Sequence, residues 1–146
     1  MMLPLERLRG ISEEECRSLR SLAVFHTNQL IHVTTLVADR KRLSERTGIP
    51  EERLLVLGRQ AALIEVSGLE RHRRVVMRLG VTSLRELRAQ DPATFQLRIL
   101  EAVGQAQAPS VSEVQYWVSQ ARQIDVLEEP DEEQLRLAAL KNFKST

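Results

Sequence analysis

Five aromatic residues, one cysteine and three histidines are all that 146 residues offer to several kinds of chemistry. With Cys16 alone, no internal disulfide and no thiolate zinc cluster can form. Phe25, Phe95, Phe143, Tyr116 and Trp117 give an aromatic share of 3%, too few for platforms that stack unpaired bases. The core must then be aliphatic, with Tyr116 and Trp117 plugging its edge. No two of His26, His32 and His72 stand at the i, i+4 spacing of a helical metal site. Gly48, Gly58, Gly68, Gly80 and Gly104 are isolated, so no phosphate-binding glycine loop exists. The most apolar stretch, 54–69, is interrupted by Arg59, Gln60 and Glu65 and falls short of a membrane span. The opening MMLPLERLRG has no signal-peptide core. These absences predict a cytoplasmic protein with no cofactor, no membrane partner and no small-molecule substrate. The carboxylates of 13–15 and 128–133 have no apolar setting to raise a pKa, so no enzymatic activity is expected either.

Charge is plentiful but unevenly placed. The net charge is only +1, yet residues 1–39 sum to −1, residues 40–100 to +6 and residues 101–146 to −4. Of the 21 basic residues, 18 are arginine, whose planar forks suit phosphate or carboxylate better than lysine does.

Helix signals recur along the chain and strand signals are nearly absent. Ser12 with Glu15 reads as a capping box, opening a helix to about Leu22. A second helix is expected from Thr27 or Thr34 through Leu43 to Thr47, with Gly48 as its left-handed stop and Pro50 restarting the chain. Leu54, Leu57, Ala61 and Ile64 form one buried stripe. A helix after Gly68 runs to Leu79 and ends at Gly80. Ser83 with Glu86 and Ser110 with Glu113 read as further capping boxes, and Asp91-Pro92 as a cap with its first helical residue. Val111, Val114, Val118 and Ala121 form the stripe after Ser110, and 132–143 a weaker last helix. The fold class expected is all-α, a compact bundle of seven to eight short helices. Residues 1–125 form the domain, and 126–146 an acidic link with a short C-terminal helix.

Two segments, 8–30 and 66–87, align on Gly10 and Gly68. Each has a hydrophobe, any residue, Gly and a hydrophobe, then a short helix, a small residue with a hydrophobe (Ala23-Val24, Gly80-Val81), and a new helix opened by Thr or Ser. Glycine there permits a tight reversal between helices, and the following amides sit at a helix N-terminus where an anion can bind. This is the logic of the helix-hairpin-helix, which holds nucleic-acid backbone without reading sequence. The second copy is followed by Arg71, His72, Arg73, Arg74 and Arg78, with Arg85 and Arg88 beyond. Gly68, Leu69, Arg71, Arg73, Arg74 and Arg78 are the candidate contacts for a DNA or RNA backbone, with His72 part of the same basic surface. The first copy, followed by Glu13, Glu14 and Glu15, reads as structural. Where such hairpins usually have a second glycine this chain has Ser12 and Glu70, and the Glu70 carboxylate would repel phosphate. The acidic 125–133 segment could also neutralise the arginines. The alternative is a protein–protein adaptor in which the hairpins are only core-forming turns.

The stretches GISEEECRSLRSLAVFHTNQL, LSERTGIPEERLLVLGRQAALIEVSGLERHRRVVMRLGVTSLRELRAQDPATF and APSVSEVQYWVSQARQI resemble the family of domain of unknown function 4332 over about residues 5–125. The resemblance implies paired helix-hairpin-helix elements in one helical domain, and it implies no catalytic role.

Overall fold

Ser12 fixes the first long helix by a reciprocal exchange. Its hydroxyl accepts from the Glu15 amide at 3.0 Å, and its own amide donates to Glu15 Oε1 at 2.9 Å. The computed structural model describes residues 2–144, with side-chain surroundings for 2–142; Met1, Ser145 and Thr146 lie outside the described residues. Among them run nine α-helices: α1 Glu13–Ser21, α2 Thr27–Thr34, α3 Val37–Thr47, α4 Glu51–Ile64, α5 Arg73–Arg78, α6 Leu84–Arg88, α7 Pro92–Val103, α8 Val111–Gln123 and α9 Pro130–Lys144. Single 3-10 turns at Leu5–Arg7 and Glu70–His72 precede α1 and α5. The only strand-like feature among the described residues is a bridge between Pro4 and His26. The all-α expectation is met.

The count exceeds seven to eight because helices expected to be continuous are broken. Thr34 and Thr35 donate their hydroxyls back to the Leu30 and Ile31 carbonyls at 2.6 and 2.7 Å, a bond that competes with the helical ladder. The Thr34 carbonyl then accepts from the Arg40 guanidinium at 2.7 Å, and that of Thr35 from the Glu128 amide at 2.7 Å. The chain therefore breaks between α2 and α3. Two capping boxes are also incomplete. Ser83 and Ser110 accept from the Glu86 and Glu113 amides, but the returning Glu86 carboxylate accepts from the Thr82 amide and the Ser83 hydroxyl, not from the Ser83 amide. Val111 is 44% exposed, whereas Val114, Trp117, Val118 and Ala121 are buried. The stripe of α8 starts one turn later than the spacing suggested.

The repeat reaches well beyond the two glycine segments. A first core gathers Leu5, Leu19, Leu30, Leu43, Leu54, Leu57 and neighbours, and a second gathers Leu69, Val76, Leu87, Phe95, Trp117 and neighbours. In the first, α4 packs on α2 and α3; in the second, α8 packs on α6 and α7. The long helix α4 joins them, giving Ala61 and Ile64 to one core and Ala62 and Leu63 to the other. Equivalent hydrogen bonds recur in both units. The Gln60 amide brackets Arg9, donating to its carbonyl and accepting from its N–H at 3.2 and 2.9 Å. Gln120 brackets Ser67 in the same way at 3.2 and 2.8 Å. Each clamp fixes the residue just before a glycine turn. The small residues after α1 and α5 are left-handed, Ala23 at φ 66° and Gly80 at φ 95°. They let the Val24 and Val81 amides reach back to the Leu19 and Val76 carbonyls, the Schellman closure of a helix. The first glycine turn differs in one respect, since a 3-10 turn and not an α-helix leads into it.

Candidate nucleic-acid interface

The second glycine turn is built inward. Val66 and Leu69 are 1% and 0% exposed, and Gly68 takes φ +84°, a conformation closed to side chains at low cost. A Cβ there would stand 3.4 Å from Trp117 Nε1, so the turn lies against the second core. The Leu69 amide donates to the Val66 carbonyl at 3.2 Å. It is thus committed within the turn and does not point outward as the sequence pattern suggested. The equivalent amide of the first turn, Ile11, likewise donates to Leu8. With these two amides spent inside their turns, the exposed arginines are what this surface offers an anion.

Those side chains divide by helical position. Val75 and Val76 are buried, which turns Arg71, Arg74 and Arg78 outward along α5 and its leading turn. Arg73 points the other way and is only partly exposed, its Nη1 donating to the Arg7 carbonyl at 3.1 Å. Burial lowers its pKa first, with Arg7 and Arg9 adding to the effect against Glu70. It ties one glycine turn to the other. The result is a groove of about 490 Å³ with Arg7, Arg9 and Gly10 on one wall and Glu70, Arg71, Arg73 and Arg74 on the other. A smaller depression of about 160 Å³ across α5 is lined by Arg71, Arg74 and Arg78. Both carboxylates of the groove are engaged, Glu6 by Arg20 at 2.5 Å and Glu70 by Arg7 at 3.3 Å. The structure therefore brings Arg71, Arg73 and Arg74 together and adds Arg7 and Arg9, which the reading of the first turn as structural had passed over. Arg9 lies within the repeat, in Leu8-Arg9-Gly10, and Arg7 directly before it.

The family described as Domain of unknown function (DUF4332) matches residues 9–124. The chain belongs to this family. No curated protein and no solved structure matches it significantly. The DUF4332 region begins at the first glycine turn and ends just after α8, so it spans both units and leaves α9 outside.

Within the DUF4332 region His72 is not part of the basic surface. It is 8% exposed, its ring 5.3 Å from that of Trp117, and its Nε2 accepts from Arg71 Nε at 3.2 Å. That bond requires an unprotonated ring nitrogen. Burial and then the Arg71 charge push its pKa below the ordinary 6.5. The unfolded chain thus binds this proton at a higher pH than the folded one does. The stabilising contribution is complete above pH 6.5 and is lost as pH falls toward the folded pKa. Urea denaturation of His72→Asn should therefore show a flatter stability profile than wild type between about pH 7 and 5.5. Parallel profiles would exclude His72 as the group responsible.

The acidic segment after the DUF4332 region docks elsewhere. Glu132 pairs with Arg85 at 2.8 Å, Glu133 with Lys41 at 3.3 Å, and Glu129 with Arg59. Glu128 holds the Val37 amide and Arg136. Of the arginines at 71–88, only Arg85 is met by these contacts. Cys16 is buried with its thiol pKa raised by burial. Among the described residues no group of three or more His, Cys, Asp or Glu could hold a metal, and no helix is long and apolar enough to cross a membrane.

Proposed function

We propose that this chain is a non-catalytic module that grips a nucleic-acid backbone without reading its sequence. The observation that supports it is the groove between the two glycine turns, where five arginines from both units converge. Guanidinium forks donate paired N–H groups to phosphate oxygens, and the exposed Arg9, Arg71, Arg74 and Arg78 are placed to do so. The Ile11 and Leu69 amides have no part in this form of the helix-hairpin-helix reading, since both are bonded within their turns. Four phosphate contacts predict a log–log salt slope of about −3.5 on duplex DNA, measured by anisotropy over a salt titration. A flat slope, or no association at low salt with duplex or single strands, sinks the proposal.

The adaptor reading is favoured by one observation only. On α9, outside the family match, Leu135, Leu137 and Leu140 are 72%, 51% and 49% exposed, and apolar surface of that kind suits a protein partner. The same titration separates the two, because a protein-only adaptor binds neither form of DNA.

A further inference from the structure

Glu70 stands where a phosphate would have to enter. The 3-10 turn Glu70–His72 sets its carboxylate into the groove lined by Arg7, Arg9, Arg71, Arg73 and Arg74. Its Oε1 lies 3.3 Å from Arg7 Nη2, and the two side chains keep 32% and 55% exposure, so the pair is wet and weakly held. In the first unit the place two residues after the glycine belongs to Ser12, which is consumed in capping α1. Glu70 does not stand at a cap position: the N-caps of the 3-10 turn and of α5 are Leu69 and His72, whose side chains make no capping bond. What the carboxylate does engage is Arg7.

Resting on the backbone reading above, we propose that Glu70 is an internal counter-anion that occupies Arg7 and sets a fixed displacement cost, which a ligand of several phosphates overcomes and an isolated phosphate does not. The ligand class is a phosphodiester chain several phosphates long, not inorganic phosphate. A tethered carboxylate competes at high effective concentration, so a lone phosphate must displace it to gain one cation. A phosphodiester chain engages Arg9, Arg71 and Arg74 in the same event and displaces the carboxylate once. The negative charge also raises a barrier that a weakly binding anion does not overcome.

The test uses the full chain, a fluorescently labelled duplex oligonucleotide and inorganic phosphate as competitor. Glu70→Gln should bind the duplex about three- to tenfold tighter at low salt. Inorganic phosphate should compete against this variant at lower concentration than against wild type. Glu70→Ser, which installs the residue type of the first unit, should give the same gain, and thermal midpoints near wild type exclude an effect on folding. Wild-type binding with both variants unchanged in affinity and competition overturns the selectivity and leaves the backbone reading standing. Absence of duplex binding by wild type and variants alike overturns the backbone reading itself, and the selectivity with it.

Discussion

Arg40→Met should lower the unfolding free energy by about 3–5 kcal/mol, from the cost of stranding buried partners of a lost charge. Arg40 is 1% exposed, and its guanidinium donates to the carbonyls of Thr34, Thr35 and Glu128. Two of those carbonyls belong to the break between α2 and α3, the third to the segment leading into α9. Burial lowers the Arg40 pKa, offset in part by Glu129 and Glu128. Methionine fills the apolar volume but offers no donor, so carbonyls that left a helical ladder to meet Arg40 lose that partner. The loss should appear in chemical denaturation and in faster proteolysis between residues 125 and 134. Arg40→Lys keeps the charge without the fork and should fall between wild type and Arg40→Met. A loss under about 1 kcal/mol for Arg40→Met would mean the break is held by the threonines and Glu128 without Arg40.

The helical stripes were legible because their determinants are local. Leu54, Leu57, Ala61 and Ile64 are all buried as their spacing requires, and Gly48 and Gly80 take the left-handed angles expected of helix stops. The α2–α3 break was not legible, because the groups that stabilise it, Arg40 and Glu128, are far apart in sequence. The full repeat is also written in the sequence. Leu54, Leu57, Gln60, Ala61 and Ile64 recur as Val114, Trp117, Gln120, Ala121 and Ile124 at one constant offset, with the clamping glutamine in register. At the candidate interface, Arg71, Arg74 and Arg78 could be read from sequence, since a run of arginines must expose most of them. Arg73 and His72 could not be assigned, because helical phase at a 3-10-to-α junction decides which side chain turns inward. Arg7 and Arg9 were obscured by Glu13, Glu14 and Glu15, whose charge was weighed as if it faced the same surface. Glu15 instead closes the cap of α1 and pairs with Arg53 at 2.8 Å, and Arg53 lowers its pKa.

Reversing Arg71 and Arg74 together is expected to weaken backbone binding by at least about 100-fold at low salt, with unchanged fold stability. Both side chains are exposed and form the ridge between the groove and the depression across α5, so two contacts are lost and two repulsions created. Arg73 is excluded from the pair on purpose. A carboxylate there would face the Arg7 carbonyl that the guanidinium now meets, and lost binding could then reflect lost structure. Net charge alone also lowers affinity for a polyanion, so the comparison is Arg42→Glu with Arg46→Glu on α3. These residues line a separate hollow beside Leu22, Val33 and Leu43, and their reversal changes net charge by the same amount. If the groove is the contact, the α5 pair must weaken binding far more than the α3 pair, with both proteins melting like wild type. Equal losses would show that the field of the whole molecule attracts the polyanion and that the groove has no special part in holding it.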